Sequence, residues 1–344
     1  MLQIHAYNTQ TQTYSTPAGL AALPALLADA HTHLWIDCQT DDPAELQTIG
    51  EALELDPLTL EDCLSPRQLP KVETFEAYHF VLVKALRRAE QMLDEPFAGP
   101  EPNTDEADGV VPQKLEVVQL NCYIGERFLV THHRHPAEAV NVTLKHVANR
   151  NSQIRQGVAT LAYEILDRFV DLQAPVLDYF EDRLDGLQQQ LFASNLKRHA
   201  AAAYLKMTRQ LQLLRRISVR NQQVFYQLSH ASLEFIDEQQ ARYFKDVYDH
   251  LLRMVELSDQ YQQNLREALT IQLSLNGTKV NQIVLFLTML TTMLLPLNVV
   301  TGLYGMNFKH MPLLNHPFGF WMILGVMLAL ALSMLLLFKR RRWL

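Results

Sequence analysis

The sequence predicts an α+β membrane protein, in which an N-terminal α/β domain is followed by long helices and then by two membrane-spanning helices. Three observations predict this fold class. Short β-prone runs alternate with helical patterns in the first 150 residues. The stretch between Pro175 and Pro296 contains no proline and only two glycines, and two uncharged runs, 280–308 and 318–338, lie near the C-terminus.

The N-terminal part has the mixed character of an α/β domain. Asp56-Pro57 is a typical helix start, with aspartate as the cap and proline at the first helical position. The apolar stretch 20–27 contains Pro24 and lacks a basic leader, so we expect a domain helix there rather than a cleavable signal. The runs rich in β-branched and aromatic residues predict strands of a mixed sheet at 34–38, 78–84, 116–123 and 128–132.

Residues 90–112 differ in kind from the sequence on either side. They are rich in Pro, Glu and Asp and poor in large apolar residues. This composition predicts a flexible acidic loop inserted between two strands of the sheet. Attraction of cations is one interpretation of its charge, and a solvated linker is the simpler one.

The middle of the chain is predicted to be helical throughout. Apolar residues recur there at the spacing of one helix face, as at Leu177, Phe180, Leu184, Leu187 and Leu191. The polar stretch 229–238 is the expected turn between helices. A helix from there to Tyr304 would be nearly 100 Å long and would run from the cytoplasm into the membrane.

The two uncharged runs are each long enough to cross a bilayer core of about 30 Å as a helix. The link between them, 309–317, is too short to form a domain, so a hairpin is predicted. A basic cluster, Lys339 to Arg342, closes the second span, and such clusters stay on the cytoplasmic side. An even number of spans then places both termini in the cytoplasm.

Charge and cysteine content exclude several function classes. The first 308 residues carry 25 basic against 37 acidic residues, a formal charge of −12, which argues against a nucleic-acid partner and is compatible with cations. Cys38, Cys63 and Cys122 are far apart, which suits reduced cytoplasmic thiols. No nucleotide-binding loop of the P-loop type and no catalytic constellation is present, so neither a pump nor an enzyme is predicted, and no cofactor.

Polar and small residues of the first span form an a/d seam. One series is Asn281, Thr288, Leu295 and Gly302, and the other is Val284, Thr291, Asn298 and Gly305. In lipid such a seam faces other helices, because amides and hydroxyls need partners and small residues allow close approach. Two interpretations stay open: a tight packing face without a conduit, or a narrow pore surrounded by several copies of the helix. A two-span protomer is too small to enclose a pore alone, so a pore requires a homo-oligomer.

The seam contains no charged residue, so permeation cannot depend on charge pairing within the bilayer. Neutral oxygens can hold or replace the water shell of a cation. Mg²⁺ dehydrates reluctantly, so rings of carboxamides would suit the hydrated ion. Asn307 at the outer mouth and Asn281 near the inner one are the candidate rings.

The ending Tyr304-Gly305-Met306-Asn307 follows a proline-containing apolar helix and precedes a second span closed by Lys-Arg-Arg-Arg-Trp-Leu. In this context the Gly-Met-Asn triplet resembles the signature of the CorA family of divalent cation channels. The similarity extends over nearly the whole chain: 56–86, the strand Phe-Leu-Val-Thr-His-His and 243–250 are similar to further segments of that family.

The resemblance implies a homopentamer in a bacterial inner membrane that passes Mg²⁺ and Co²⁺. It implies a cytoplasmic α/β domain (1–170), a long-helix funnel (171–279), a pore helix (280–308), an outer link (309–317), a second span (318–338) and a basic cytoplasmic tail (339–344). The pore positions implied by the resemblance are Asn281, Val284, Leu287, Leu295, Asn298, Gly305, Met306 and Asn307. Leu287 lies off the heptad seam.

The resemblance also implies intracellular metal sites that close the channel by bridging subunits. The matching positions are Asp62 and Asp246. Each has a simpler interpretation: Asp62 is an acid in an early helical turn, where the helix dipole favours it, and Asp246 lies on a solvated helix face.

The chain departs from the family pattern at two places. Thr270 stands where a carboxylate ring is common, and the link after Met311-Pro312 reads Leu313-Leu314 and carries no acid. Both changes reduce attraction for a doubly charged ion. Zn²⁺ transport of the ZntB type is therefore an alternative, with His310 and His316 outside as nitrogen donors, and a membrane scaffold that transports nothing is another. Inside, His132, His133 and His135 pose the same question, although a sheet-edge turn is the simpler explanation.

Overall fold

The computed structural model describes residues 2–17, 19–88, 115–148, 153–192, 198–230, 233–306, 311–313 and 316–341. Within these ranges lie seven strands, nine α-helices and two short 3-10 turns (Leu20–Ala22 and Gln153–Gln156). The strands are β1 (Leu2–Asn8), β2 (Thr13–Ser15), β3 (Thr32–Gln39), β4 (Lys71–Thr74), β5 (Tyr78–Arg88), β6 (Leu115–Gly125) and β7 (Phe128–His133). The helices are α1 (Leu23–Ala28), α2 (Pro43–Ala52), α3 (Pro57–Leu64), α4 (Glu138–Ala148), α5 (Val158–Asp171), α6 (Ala174–Phe192), α7 (Arg198–His230), α8 (Glu238–Tyr304) and α9 (Gly319–Arg340).

The seven strands form one mixed sheet in the order β2-β1-β3-β7-β6-β5-β4. β3 pairs with β7 in parallel, so that Trp35 lies opposite Leu129, and the strands on either side of this pair run antiparallel to their neighbours. The predicted strands β3, β5, β6 and β7 are confirmed. The strands β1, β2 and β4 were not predicted.

Helices cover the sheet and bury its apolar side chains. α1, α2 and α3 pack on one part of it, in a core that includes Ile36, Phe80 and Tyr123. The helix start predicted at Asp56 is confirmed, since its side chain accepts a hydrogen bond from Leu58 N at 2.8 Å. Asn221 of α7 bonds both main-chain groups of a residue in the middle of β5 and so fixes α7 to the sheet.

The chain divides into two compact units, Met1–Arg266 and Glu267–Leu344. The first unit contains the sheet and helices α1 to α7. α8 is a single helix of 67 residues, about 100 Å long, which begins in the first unit and ends in the second. The turn predicted before it is confirmed, because α7 ends at His230 and α8 begins at Glu238.

The second unit contains the two predicted spans. α8 and α9 both include an apolar window long enough to cross a bilayer, with a mean hydropathy of 2.2 and 2.5, and neither window is buried within the chain. Such exposure of apolar surface on two helices is what a lipid environment requires. The predicted acidic insert 90–112 lies outside the described residues.

Candidate functional site

The predicted pore residues of the first span lie on one face of α8. With about 100° of rotation per residue, the five helical positions fall within an arc of about 120°, and Asn281 and Asn298 are about 26 Å apart along the axis. Leu287 lies inside this arc, so its departure from the heptad seam does not remove it from the face. All five side chains are exposed in the single chain: Asn281, Val284, Leu287, Leu295 and Asn298.

Hydroxyl and amide side chains behave differently along this span. Thr288 donates to the carbonyl of Val284 at 2.7 Å and Thr291 donates to the carbonyl of Leu287 at 2.8 Å, so these hydroxyls are satisfied by their own helix. Among the described residues, Asn281 and Asn298 have no hydrogen-bond partner for their side chains. The amides are therefore the polar groups of this face that need an outside partner, which is a neighbouring helix, water or an ion.

The backbone at the end of α8 explains the glycine at one of two positions, 302 and 305, that precede Asn307. Gly305 N bonds Thr301 O at 2.9 Å, and a Cβ added at Gly305 would lie 3.2 Å from that same oxygen. A Cβ at Gly302 would meet nothing within 4 Å, so no contact among the described residues requires glycine there. Met306 follows as an exposed residue, and Asn307 lies outside the described residues.

Leu313 packs closely against the start of α9. A Cβ at Gly319 would lie 2.0 Å from the carbonyl oxygen of Leu313, so this close approach admits glycine alone. Leu313 itself has a positive φ of 70°. The backbone of Leu313 is therefore tightly packed against the first residue of α9.

Asp62, the first predicted metal ligand, is engaged within its own chain. It is 8% exposed, and its Oδ2 lies 2.5 Å from Lys71 Nζ. Gln68 donates a short hydrogen bond to the other carboxylate oxygen. A metal ion that binds Asp62 must therefore compete with the Lys71 ammonium.

Asp246, the second predicted ligand, lies beside a group of possible ligands that the sequence analysis did not identify. The ligand atoms of Asp167, Asp171 and His250 lie within 4.8 Å of one another. Asp246 is one turn before His250, with its Oδ2 4.0 Å from His250 Nε2. Among the described residues of one chain, Asp62 and Asp246 are not in contact.

The carboxylates of Asp167, Asp171 and Asp246 repel one another, and the positive groups beside them offset this repulsion only in part. Burial and then the negative charge of Asp171, with a smaller contribution from Asp246, raise the pKa of Asp167 to about 6, against the opposing charges of His250 and Arg168. Carboxylate oxygens together with an imidazole nitrogen form a donor set that divalent cations accept. We name this group, Asp167, Asp171, Asp246 and His250, the α5–α8 cluster.

Two of the histidines considered for zinc, His132 and His133, are occupied within the sheet, whereas His135 is exposed. His132 accepts a hydrogen bond from Asn121 at one ring nitrogen, and its other nitrogen donates to the carbonyl of Thr40. His133 uses its nitrogens on the carbonyl of His135 and on Asp37. These two rings have no free nitrogen for a metal, because their hydrogen bonds link the strands and loops of the sheet. His316 is exposed and His310 lies outside the described residues.

Sequence reasoning missed Asp167, Asp171 and His250 for a physical reason. Asp167 and Asp171 are one turn apart in α5, whereas His250 belongs to α8 and follows about 80 residues later in the chain. The spacing of the two aspartates was a local signal, but their third member is contributed by tertiary packing alone.

Comparison with known proteins identifies the family of the chain. The family described as CorA-like Mg²⁺ transporter protein matches residues 30–340. The cobalt/magnesium transport protein CorA of Methanocaldococcus jannaschii is 26% identical over 312 residues, which cover 90% of this chain and 91% of the relative. The protein of the same description from Thermotoga maritima is 26% identical over 318 residues, which cover 92% and 85%.

A solved structure has the same fold over the full length. The complete structure of the M. jannaschii CorA magnesium transporter superposes with a TM-score of 0.78 at 23% identity, and the match covers 100% of this chain and 99% of that one. The mixed sheet, the long helices and the two apolar helices are therefore all parts of one shared architecture.

Proposed function

Because the chain belongs to the CorA-like Mg²⁺ transporter family, we propose that it assembles as a homopentamer and passes Mg²⁺, and also Co²⁺, through a bacterial inner membrane. The first span of each copy lines the conduit and the second span surrounds it. Both termini lie in the cytoplasm. The membrane potential favours inward movement of a doubly charged ion by about 4.6 kcal/mol per 100 mV, so no energy-coupling domain is needed.

The observation that carries this proposal is the pair of unpartnered amides on one face of α8. Asn281 and Asn298 share that face with Val284, Leu287 and Leu295, and several copies would bring the same face around one axis. Amide oxygens then meet a hydrated ion at two levels, and Asn307 adds a third ring beyond the helix end. Leu287 and Leu295 form the apolar constriction between them, where a pore can close by dewetting.

Mg²⁺ and Co²⁺ are favoured over Zn²⁺ by the side chains available. Zn²⁺ prefers nitrogen and sulfur donors, and the described cytoplasmic histidines at positions 132 and 133 use both ring nitrogens within the sheet. Along the described part of the pore face the polar side chains that have no partner are amides, which suit an ion that keeps its water shell.

Metal flux into proteoliposomes tests the transport proposal. Wild-type protein should admit Mg²⁺ and Co²⁺, and Asn298→Leu, which removes the amide at nearly constant volume, should lower the flux by about tenfold, equivalent to about 1.4 kcal/mol. Val300→Leu is the matched control, because it lies on the opposite side of the same helical turn. Asn307→Ala should lower the flux as well.

Two results would contradict transport. One is a wild-type flux of Mg²⁺, Co²⁺ and Zn²⁺ no faster than through empty liposomes, which would support a scaffold. The other is equal flux through Asn298→Leu and Val300→Leu. A competition series among the three ions in the same liposomes assigns the preferred one.

Regulation is proposed to reside in the α5–α8 cluster. Its three carboxylates and one imidazole bind intracellular metal, and Asp62 of a neighbouring copy joins them when the metal displaces Lys71. The support is the close approach of the ligand atoms and the raised pKa of Asp167, which results first from burial and then from the negative charge of Asp171. Bound metal would hold adjacent copies together and so favour the closed state.

A further inference from the structure

One lysine of the chain lies where the proposed regulatory metal would bind. The ammonium of Lys71 is 2.5 Å from Oδ2 of Asp62 and 2.7 Å from Oε1 of Glu73. Asp62 belongs to α3, whereas Lys71 and Glu73 are two residues apart in β4 and lie on the same face of that strand. The ammonium therefore lies between two carboxylates, and this group of three carries one positive and two negative charges.

Asp62 is held in place by neutral groups as well as by this lysine. Gln68 donates a hydrogen bond to Oδ1 of Asp62, and Gln119 donates to its main-chain carbonyl at 3.2 Å. Among the described residues, Lys71 is the one charged group in contact with Oδ2. A cation that replaces Lys71 would therefore meet a carboxylate that is already oriented, so little ordering is needed for binding.

Glu73 gives the ammonium of Lys71 a second carboxylate. The ammonium also lies 5.7 Å from the centroid of the Phe80 ring, within the range of a cation–π contact. Lysine has a flexible four-carbon stem, so its charge can move away from Asp62 and keep its contact with Glu73. Displacement from Asp62 therefore does not leave the ammonium without a counter-charge.

We propose that Lys71 sets the metal concentration that the chain senses, because its ammonium and the ion compete for Asp62, and that Glu73 retains the ammonium once the ion is bound. This inference rests on the proposed function, in which Asp62 joins the α5–α8 cluster of a neighbouring copy. Oδ2 of Asp62 contacts either the ammonium or the ion. The apparent affinity for metal is therefore the intrinsic affinity multiplied by the fraction of molecules in which Asp62 is free of Lys71.

A purely structural ion pair, which ties β4 to α3, is the simpler interpretation of the same contacts. The two interpretations differ in what they predict for metal affinity. A structural pair affects the free energy of unfolding and leaves the affinity for metal unchanged. In a competition, loss of Lys71 frees Asp62 and strengthens metal binding, whereas loss of Glu73 leaves Asp62 as the only carboxylate of Lys71 and weakens metal binding.

Calorimetric titration of the full-length protein with Mg²⁺ tests the role of Lys71. Lys71→Met removes the charge and keeps most of the side-chain length, so it should strengthen Mg²⁺ binding by about tenfold. Lys71→Arg keeps the charge and should bind Mg²⁺ no more strongly than the wild type. The control Lys145→Met removes an exposed lysine from α4 and should change the dissociation constant by less than about twofold.

Glu73→Gln tests the opposite direction and keeps the ion pair between Lys71 and Asp62. It should weaken Mg²⁺ binding by about threefold. Glu76→Gln, which removes an exposed acid from the turn after β4, is its matched control and should weaken binding by less than about 1.5-fold. In an Asp62→Asn background, Lys71→Met should have no effect on Mg²⁺ binding, because no carboxylate remains to be freed.

Two outcomes overturn the proposal. The first is equal Mg²⁺ affinity, or no binding, in the wild type, Lys71→Met and Glu73→Gln, which would make the ion pair structural. The second is stronger binding by Lys71→Met that persists in the Asp62→Asn background, which would assign the effect to general electrostatics. Titration does not depend on flux: the predicted order of affinities without flux contradicts transport alone, and flux with equal affinities contradicts this inference alone.

Discussion

Single side chains decide which part of the first span needs a partner. Threonine in a membrane helix returns its hydroxyl to a carbonyl one turn earlier, as Thr288 does, and so is compatible with lipid, protein or pore. Asparagine cannot do this as easily, and Asn281 and Asn298 remain without a partner among the described residues. The polar groups of the seam that need a partner are therefore its amides, because its threonine hydroxyls are already bonded within the helix.

Buried histidine makes the N-terminal domain sensitive to acid. His132 is fully buried between Asn121 and the carbonyl of Thr40, and burial lowers its pKa to about 4. The unfolded chain takes up this proton near pH 6.5, so stability is complete above that pH and is lost as the pH falls toward 4. We expect a loss of about 3 kcal/mol over this window from His132.

Urea unfolding at pH 8 and pH 5 measures this effect. Trp35 donates to Thr131 in the next strand and reports on the sheet when Trp321 and Trp343 are replaced by phenylalanine. His132→Gln should reduce the difference between the two pH values, whereas exposed His31→Gln should leave it unchanged. An identical pH dependence in all three proteins would exclude His132 as its source.

At the scale of elements, α3 depends on its cap. Asp56 accepts from Leu58 N, and its own N–H donates to the hydroxyl of Tyr78 in β5. Asp56→Ala should lower the free energy of unfolding by about 1 kcal/mol, and Asp56→Ser, which also caps helices, should recover most of it. Urea midpoints of the three proteins give the answer, and a serine variant no better than the alanine variant would argue against capping.

The sequence predicted elements where the pattern was strong and local. β3, β5, β6 and β7 each contain a short run rich in β-branched and aromatic residues, and most of α8 lies in a stretch without proline. β4 was missed because Lys71–Thr74 is four residues long and mostly polar, and its place comes from pairing with β5. β1 was missed because polar residues interrupt it, although His5 is buried against Trp35.

The residues of the candidate site likewise fall into those that local sequence spacing predicts and those that depend on tertiary packing. The pore face was predictable because its residues repeat along one helix, so sequence spacing fixes their direction. The α5–α8 cluster was not, because it depends on how two helices pack. Asp62 was identified by resemblance, but its ion pair with Lys71 required the fold, which places β4 beside α3.

At the scale of the whole molecule, one helix contains both proposed functions. α8 includes Asp246 and His250 in its first part and Asn281 to Asn298 in its last part. A metal that binds the closed state more tightly than the open one shifts the equilibrium by that difference in affinity and by no more. The same metal must therefore stabilise the assembly whenever it reduces flux.

This linkage gives a prediction with two readouts. In the wild type, Mg²⁺ at about 100 times its dissociation constant should stabilise the protein by about 2.7 kcal/mol, measured as a rise in Tm, and should reduce flux from the metal-loaded side. In Asp167→Asn/Asp246→Asn both effects should be lost together. Asp249→Asn/Glu256→Gln removes two exposed acids from α8 outside the cluster and should keep both.

The size of the two effects also discriminates between sites. Asp62→Asn removes a carboxylate that is already paired with Lys71, so it should weaken the Mg²⁺ response less than Asp246→Asn, whose carboxylate is exposed and lacks a lysine or arginine partner among the described residues. Thermal unfolding and flux on the same preparations provide the comparison. If Asp167→Asn/Asp246→Asn keeps the full rise in Tm and the full inhibition, metal sensing does not reside in the α5–α8 cluster. If Asp62→Asn alone abolishes both, the displaced ion pair is the sensor, because its opening is then the step that metal drives.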